Sequence, residues 1–263
     1  MTRGQEPEAL LLSVVIPAYN EEGNIRGGAL DDVADYLSRQ KYSSEVIVVD
    51  DGSEDATASL VEEAARRSPF LSLLRSEHGG KARAVTAGVV AARGEYLLFT
   101  DLDQSTPIRF VEDALRELQA GIDVVIGSRF LKGASRLNEP LLRNVMGRTF
   151  AMLVRVLLLR DIQDSQCGFK GFRREVAQEL FTNMMVFGGE ARATAGPMVT
   201  AFDVELLVLA KKRGYRVKEI PVTWRHVETS RVSPFGDAYR MFKQVVKVWL
   251  NRLRGRYEAP RSS

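Results

Sequence analysis

The first half of the chain alternates short apolar runs with longer segments in which apolar and polar residues mix. The runs are rich in valine, isoleucine and leucine, a composition typical of strands that are buried on both faces of a sheet. They predict strands at residues 11–18, 45–49, 71–74, 96–100 and 123–127. The intervening segments predict helices at residues 22–40, 55–67, 80–92 and 107–119. This alternation favours an α/β fold in which helices flank a mostly parallel sheet.

The second half has a less regular pattern. It predicts helices at residues 141–159, 175–181 and 202–213 and strands at 168–172 and 217–224. Residues 182–200 contain Gly188-Gly189 and Gly196-Pro197 and are expected to form a loop or lid. We expect a disordered N-terminus at 1–10, one domain at 11–230, an amphipathic helix at 237–254 and a basic tail at 255–263.

The C-terminal segment concentrates positive charge. From residue 237 onward it holds seven basic and two acidic side chains, whereas the whole chain carries a net charge of only +3. A basic amphipathic helix is typical of a segment that lies on an anionic membrane. Simple packing of this helix on the core is the alternative. Nucleic acid is not expected as a partner, because no motif that combines aromatic and basic residues accompanies the charge.

Composition limits the chemistry. The chain has 263 residues, of which 45% are hydrophobic and 27% charged, which suits one large globular domain. A single cysteine, Cys167, excludes an internal disulfide and fits a reducing compartment. Only two histidines are present, so a metal would be a hard cation held by oxygen ligands. The polar first ten residues and the absence of a long uncharged apolar stretch predict neither a signal peptide nor a membrane span.

Two carboxylates, Asp101 and Asp103, follow the predicted strand at 96–100. Ligands of open α/β sheets bind beyond the carboxyl ends of the strands. Mg²⁺ is usually held there by one or two carboxylates, together with water and substrate phosphates. The D-x-D pattern therefore predicts a divalent cation site, with a surface turn that caps the next helix as the alternative.

The exits of the first two strands complete a recognisable group. Pro17-Ala18-Tyr19-Asn20-Glu21 ends the first strand, and Asp50-Asp51-Gly52-Ser53 ends the second. With the D-x-D sequence, these motifs resemble the nucleotide-sugar half of family-2 inverting glycosyltransferases, which have the GT-A fold. The resemblance implies a donor half at about 11–128 and an acceptor half at about 129–230.

Two further segments narrow the resemblance to the branch that glycosylates polyprenyl phosphates, and within it to dolichyl-phosphate β-glucosyltransferases. They are residues 161–170, which include Asp164-Ser165-Gln166-Cys167-Gly168, and residues 201–205. Two departures stand out. Eukaryotic members carry an N-terminal membrane anchor that is not expected here, and their D-x-D is commonly followed by Gly-Ala-Thr, where this chain has Gln104-Ser105-Thr106.

The resemblance implies roles on the donor side. Pro17, Tyr19 and Glu21 would border a uridine, and Asp51 would accept a hydrogen bond from the base. Lys81 follows Gly79-Gly80 at the start of a helix, where the helix N-terminus favours an anion. Asp101 would contact the ribose or the metal-bound water, and Asp103 would bind Mg²⁺ or Mn²⁺ directly.

The acceptor side requires cations if the acceptor is a lipid phosphate. Arg129 is the first candidate, because arginine binds phosphate bidentately. Arg143, Arg148 and Lys170 are further candidates, each with an ordinary surface role as the alternative.

A phosphate acceptor also changes the need for a base. Its second pKa is about 6, so its oxygen is already anionic near neutral pH. If a base is needed, Asp203 is the first candidate and Asp164 the second, and Glu205 could pair with an arginine of the acceptor site.

The sequence therefore predicts an inverting glycosyltransferase that moves glucose from UDP-glucose to polyprenyl phosphate on the cytoplasmic face of a membrane. Alternatives are another donor, such as GDP-mannose or a UDP-N-acetylhexosamine, a hydroxyl acceptor, or a nucleotide-binding protein without turnover. The oligomeric state, including a homo-oligomer, stays open.

Overall fold

The strands of the computed structural model, which describes residues 10–188, 201–227 and 234–258, form a seven-stranded and a two-stranded sheet. Their bounds are β1 Leu12–Ala18, β2 Ser44–Asp50, β3 Leu71–Arg75, β4 Tyr96–Thr100, β5 Val124–Ser128, β6 Ser135–Leu137, β7 Phe169–Arg173, β8 Val217–Pro221 and β9 Thr223–Arg225. The large sheet has the order β3-β2-β1-β4-β7-β5-β8. Only β7 runs against its neighbours, β4 and β5. The predicted α/β class with a mostly parallel sheet is confirmed.

Helices cover both faces of the large sheet. Their bounds are α1 Glu22–Arg26, α2 Ala29–Ser38, α3 Thr57–Arg67, α4 Lys81–Ala91, α5 Val111–Gln119, α6 Leu141–Leu157, α7 Arg174–Thr182, α8 Phe202–Lys212 and α9 Pro234–Leu253, with a 3₁₀ turn at Ile108–Phe110 before α5. None of the helices described is both long enough and apolar enough to cross a bilayer.

Two predicted elements are divided in the structure. The helix expected at 22–40 breaks at Gly28, whose φ of 91° lies in the left-handed region that glycine adopts freely. The strand expected at 217–224 splits into β8, which pairs with β5, and β9, which pairs with β6. The small sheet was not predicted, because its two strands have only three residues each and lie far apart in the chain.

Alternating residues of the central strands supply the two cores. Val15, Val49 and Phe99 face the cluster that contains α4, α7, α8 and α9. Val14 and Leu98 face the cluster that contains α2, α3 and α5. Both faces of the sheet are thus covered, as the nearly continuous apolar runs predicted.

The C-terminal segment is more firmly attached than predicted. Met241, Val245 and Val248 of α9 are buried, whereas Tyr239, Phe242, Leu250 and Leu253 are exposed, so the apolar side chains do not form one outward face. Tyr257 lies in the expected basic tail but is 1% exposed, because its side chain packs into the core. Tail residues 259–263 lie outside the described residues, as do 1–9 and the loop or lid residues 189–200.

The strand order brings the polar motifs to one edge. The carboxyl ends of β1, β2, β4 and β5 lie on the same side of the sheet, and β7 begins there because it runs in the opposite direction. The chain moves outward from β1 to β2 and β3, then returns to place β4 on the other side of β1. A reversal of this kind opens a crevice at the strand ends.

Candidate active site

Asp101 leaves β4 directly beside the start of β7. Its backbone N–H donates to the carbonyl oxygen of Gly168 at 3.2 Å. A Cβ at Gly168 would lie 1.9 Å from Oδ2 of Asp101. Only glycine leaves room for the carboxylate at this point, so Gly168 helps to set where that carboxylate lies.

The D-x-D turn is closed by its own side chains. Oδ1 of Asp103 accepts a hydrogen bond from the N–H of Ser105 at 2.9 Å, and Nε2 of Gln104 donates to the carbonyl oxygen of Asp101 at 2.8 Å. Gln104 has a φ of +49°. Glycine adopts this conformation at little cost, which accounts for the glycine common at this place in the resembled branch. Burial and the neighbouring Asp101 raise the pKa of Asp103.

Lys81, at the first position of α4, reaches the D-x-D carboxylates. Its Nζ lies 2.5 Å from Oδ1 of Asp101 and 5.3 Å from the centroid of the Phe99 ring. Burial lowers the pKa of Lys81, but the carboxylates of Asp101, Asp203 and Asp103 outweigh that effect and raise it. The structure therefore brings Lys81, Asp101 and Asp103 together, as the motifs predicted.

Asp51 organises the loop that precedes α4. It is 2% exposed, and its two carboxylate oxygens accept hydrogen bonds from the N–H groups of Gly79 and Gly80, both at 2.8 Å. Nδ1 of His78 lies 3.0 Å from Oδ2 of the same carboxylate. These bonds give Asp51 a structural role that its sequence pattern did not reveal. Its predicted contact with a base stays a prediction.

Tyr19 and His78 form a stacked pair at the same edge. Their ring centroids are 4.4 Å apart, with an angle of 24° between the planes. The motif predicts Tyr19 as a neighbour of the base, and the structure adds His78 beside it. Each ring covers one face of the other, so the outer faces of the stack are what it offers to a planar base.

The other predicted uridine neighbours lie along the exit of β1. The backbone N–H of Glu21 donates to Oγ1 of Thr57 at 2.7 Å, and its Oε2 accepts from Nδ2 of Asn24 at 2.5 Å. Pro17 is half-buried within β1 and opposite Val49 of β2. Glu21 therefore already participates in the turn that begins α1.

Lys170 and Asp203 form a buried ion pair. Nζ of Lys170 lies 2.5 Å from Oδ1 of Asp203 and donates to the carbonyl oxygen of Cys167, also at 2.5 Å. The Lys170 side chain is 0% exposed. Its burial argues against the predicted contact with an acceptor phosphate. Lys170 instead neutralises Asp203, whose pKa is raised by burial against the opposing effects of Lys170 and Lys81.

Arg129 and Asp164 form a second buried pair. Asp164 is 1% exposed. It accepts hydrogen bonds from Nε and Nη2 of Arg129, at 2.7 and 2.9 Å, and from the backbone N–H of Arg129 at 2.9 Å. Burial raises the pKa of Asp164, but Arg129 outweighs it and lowers the pKa overall. A carboxylate held this way is a poor proton acceptor, which argues against Asp164 as a base. Its role is to hold Arg129 in place.

Three further arginines and two aromatic rings lie around this pair, and together with Arg129 we call them the arginine–aromatic cluster. Its members are Arg129, Arg136, Arg143, Arg148, Phe130 and Trp224. The guanidinium carbons of Arg129 and Arg143 lie 5.4 and 5.9 Å from the Trp224 ring centroid. Those of Arg136 and Arg148 lie 4.8 and 5.7 Å from the Phe130 ring centroid.

Arg136 is the arginine of the arginine–aromatic cluster that the sequence did not predict as an acceptor residue. Its Nη1 pairs with Glu139 at 2.9 Å, and only 10% of its side chain is exposed. Its Nη2 is buried and has no hydrogen-bond partner among the described residues. Burial and the nearby guanidinium groups of Arg148 and Arg129 lower the pKa of Arg136. An anion at this place would relieve that repulsion.

Glu205 has a different role from the predicted one. It is 0% exposed and accepts hydrogen bonds from the N–H groups of Met185, Val186 and Phe187 at 2.8–3.0 Å and from the Tyr257 hydroxyl at 2.7 Å. No arginine of the described chain pairs with it. Glu205 therefore ties the segment after α7 and the segment after α9 to α8.

The donor set for a metal consists of Asp101 and Asp103. Within the described residues, no group of three or more His, Cys, Asp and Glu side chains is arranged to hold a metal ion. Two carboxylates are the number that Mg²⁺ commonly takes from a protein when substrate phosphates complete its coordination. Asp101 and Asp103 thus suit a cation that binds together with a diphosphate. They are too few ligands for a metal that is held by the protein alone.

Comparisons with known proteins agree with this architecture. The sequence model of "Glycosyl transferase family 2" matches residues 13–181. The dolichyl-phosphate beta-glucosyltransferase of Dictyostelium discoideum is 34% identical over 260 residues, covering 94% of this chain and 76% of that protein. The human protein of the same name is 33% identical over 261 residues, with coverage of 93% and 76%.

A solved structure shares the fold. The mannosyltransferase PcManGT from Pyrobaculum calidifontis, solved with GDP-Man and Mn²⁺, superposes with a TM-score of 0.59 at 23% identity, covering 95% of this chain and 68% of that one. The family match extends from β1 into α7 and so includes every strand exit described above. The resemblance drawn from the motifs is thereby confirmed. The chain belongs to glycosyltransferase family 2 and is a glycosyltransferase of GT-A fold, similar to dolichyl-phosphate β-glucosyltransferases.

Proposed function

We propose that this protein transfers glucose from UDP-glucose to polyprenyl phosphate with inversion, giving a β-linked polyprenyl-phosphate sugar. The curated relatives bear the name dolichyl-phosphate beta-glucosyltransferase. The arrangement of side chains at the carboxyl edge of the sheet supports both halves of the proposal, the donor half and the acceptor half.

On the donor side, the stacked rings of Tyr19 and His78 offer a surface for the base, beside the loop that Asp51 holds. Asp101 and Asp103 would hold Mg²⁺ or Mn²⁺. The cation, when bound, supplies positive charge that stabilises the departing diphosphate. Lys81 adds a second cation at the same place, and the N-terminus of α4 favours the same negative charge.

On the acceptor side, the arginine–aromatic cluster suits a phosphate that carries an apolar chain. Arg129, Arg136 and Arg143 offer guanidinium groups, and Phe130 and Trp224 offer rings. Lys170 is left out of this set because it is fully buried. Asp164 keeps Arg129 in position, since it binds both the side chain and the backbone of that residue.

The observation that carries the proposal is the electrostatic interaction between the two sides. Burial and Arg129 lower the pKa of Arg143, whereas Glu139 and Asp103 raise it. The carboxylate proposed for the cation and an arginine proposed for the acceptor phosphate are therefore close enough to influence each other. A phosphate held by the arginine–aromatic cluster would thus lie near the proposed cation site.

A phosphate acceptor also explains the state of Asp203. This carboxylate is buried and paired with Lys170, which is an unfavourable arrangement for a base that must exchange protons with a hydroxyl group. A phosphate oxygen is anionic without such help. Catalysis then requires alignment of the reactants and stabilisation of the leaving group. A hydroxyl acceptor, the alternative, would require Asp203 as base.

An exposed apolar surface next to the arginine–aromatic cluster supports membrane association. Leu141, Val145, Met152 and Val156 of α6 are 54–79% exposed, and Arg143, Arg148 and Arg155 lie on the same helix. Apolar side chains rimmed by arginines favour an anionic bilayer surface. We therefore propose peripheral attachment to the cytoplasmic face of a membrane through α6, assisted by the exposed residues of α9.

The test is transfer from a panel of labelled nucleotide sugars. The protein is incubated with Mn²⁺, polyprenyl phosphate in detergent, and UDP-glucose, GDP-mannose or UDP-N-acetylglucosamine. We expect organic-extractable label from UDP-glucose, with a β-anomeric signal in the NMR spectrum of the product. Absence of lipid product from every donor, with transfer to soluble sugars instead, would establish the hydroxyl-acceptor alternative. Binding of UDP without transfer or hydrolysis would establish a nucleotide-binding protein without turnover.

A further inference from the structure

Lys81 and a divalent cation would require the same oxygen atom of Asp101. Nζ of Lys81 lies 2.5 Å from Oδ1, while Oδ2 lies against Gly168, where even a methyl group would not fit. The same Cβ would lie 3.0 Å from Oδ1, so Oδ1 is the carboxylate oxygen farther from Gly168. Two cations bound to one oxygen would repel each other strongly, because they would be only a few ångströms apart. Metal binding at Asp101 thus requires the Lys81 ammonium group to move away from it.

The position of Lys81 allows such a movement. Its backbone is fixed at the first turn of α4, because Asp51 binds the N–H groups of Gly79 and Gly80 just before it. Its side chain is 29% exposed, so part of it reaches solvent. The helix N-terminus from which it projects attracts negative charge. A diphosphate at that N-terminus would give Lys81 a new partner.

The net formal charge of the side chains around Lys81 also indicates that cation binding needs a diphosphate. Asp101, Asp103 and Asp203 interact electrostatically with Lys81, and Lys170 pairs with Asp203. Three carboxylates and two ammonium groups leave one negative charge, which is too little to neutralise a divalent cation. A diphosphate supplies the missing negative charge. Without Lys81 the same carboxylates would carry two negative charges in excess and would neutralise a divalent cation on their own.

We infer that Lys81 makes divalent-cation binding dependent on the nucleotide diphosphate: it competes for Asp101 when the cation arrives alone, and pairs with the diphosphate when both arrive. This inference rests on the proposed function, since it takes Asp101 and Asp103 as the cation site. It adds that Lys81 sets the order of binding, which limits stray metal binding to the carboxylate pair. Lys81 would then bind the diphosphate and also couple diphosphate binding to cation binding.

The test measures Mn²⁺ affinity directly, from the electron paramagnetic resonance signal of free Mn²⁺, with and without UDP. The proteins are wild type, Lys81→Met, Lys81→Arg and the control Lys41→Met, which removes an exposed lysine outside the site. For wild type and the control, we expect UDP to tighten Mn²⁺ binding by about tenfold or more, within the usual range of coupling between two sites. For Lys81→Met, we expect Mn²⁺ alone to bind about tenfold more tightly than to wild type, and the effect of UDP to fall correspondingly. Lys81→Arg keeps the charge and should keep most of the coupling.

The outcomes separate this inference from the proposed function. If Lys81→Met binds Mn²⁺ alone no more tightly than wild type, while UDP still tightens binding in wild type, the competition is refuted and the metal site stands. If wild type does not bind Mn²⁺ even with UDP, the proposed metal site itself is refuted. Circular dichroism spectra of the four proteins verify that each variant is folded.

Discussion

Gly168 leaves no room for a side chain beside Asp101: a Cβ on Gly168 would lie 1.9 Å from the Asp101 carboxylate. The two residues are 67 positions apart, and the antiparallel pairing of β4 with β7 brings them together. The glycine that immediately precedes β7 therefore determines the position of a carboxylate that follows β4. This relationship leads to the first prediction.

Gly168→Ala should displace the Asp101 carboxylate and reduce Mn²⁺-dependent transfer by at least about 100-fold, the range seen when one group that stabilises developing charge is removed. The measurement is kcat with saturating UDP-glucose over a Mn²⁺ titration. Gly147→Ala is a matched control, because a Cβ at Gly147 in α6 meets nothing within 4 Å. This control should keep full activity and gain about 0.5–1 kcal/mol in unfolding free energy. Full activity in Gly168→Ala would refute the positioning role.

Asp103→Asn should reduce kcat by about 100- to 1000-fold, because it removes a charged ligand of the cation while keeping an oxygen that can accept from Ser105. The circular dichroism spectrum should match that of the wild type. Asp113→Asn, in the exposed pair with Arg116 on α5, serves as the control and should leave kcat unchanged. Equal kcat for Asp103→Asn and wild type, over the whole range of Mn²⁺ concentrations, would exclude Asp103 as a metal ligand.

Arg143→Ala should raise the KM for polyprenyl phosphate by about 10- to 100-fold, which corresponds to a charged hydrogen bond of about 1.5–3 kcal/mol. The KM for UDP-glucose should change little, because Arg143 belongs to the arginine–aromatic cluster. Arg39→Ala changes an exposed arginine outside this cluster and is the control. Initial rates in detergent, with either substrate varied, distinguish the two constants. A rise confined to the KM for UDP-glucose would assign Arg143 to the donor side.

Asp164→Asn should lower the free energy of unfolding by about 3–5 kcal/mol, because it leaves Arg129 largely buried without its counter-charge. Urea denaturation measures this change. Asp161→Asn, three residues earlier, alters an exposed pair with Lys211 and should cost much less.

The same pair predicts a dependence on pH. The pKa of Asp164 is lowered in the folded protein, so its stabilising effect is fully present above the unfolded value of about 3.9 and is lost as pH falls through the lower folded value. As the pH falls below about 4, the wild type should therefore lose stability more steeply than Asp164→Asn. Parallel stability curves for the two proteins in that range would contradict this assignment.

Strand exits explain why much of the site could be predicted from sequence. Tyr19, Asp51 and Asp101 each follow an apolar run, and parallel strands must bring such residues to a common edge. The sequence named Arg129, Arg143 and Arg148 as acceptor candidates, but strand exits could not show that they meet Phe130 and Trp224 in one cluster. Trp224 reaches it through the pairing of β6 with β9, two three-residue strands nearly 90 positions apart. Their sequences carry too few residues to reveal a period.

Buried charges were the other difficulty. Lys170 and Glu205 are polar residues that composition alone would place at the surface, yet both are 0% exposed. Each is buried because tertiary contacts provide partners: Asp203 for Lys170, and three backbone N–H groups with Tyr257 for Glu205. Partners supplied by distant segments leave no mark on the local pattern. The sequence therefore singled out both residues, but the structure gives each of them other partners than the expected acceptor phosphate and arginine.

The bond between Tyr257 and Glu205 has a practical consequence for anyone who shortens this chain. A fragment that stops at the end of α9, near residue 253, looks like one that loses only a basic extension. It would in fact remove the phenol that satisfies a fully buried carboxylate. An expression boundary that preserves the catalytic domain should lie beyond residue 258. If Tyr257 is deleted with the tail, damage to the core would be mistaken for loss of membrane binding.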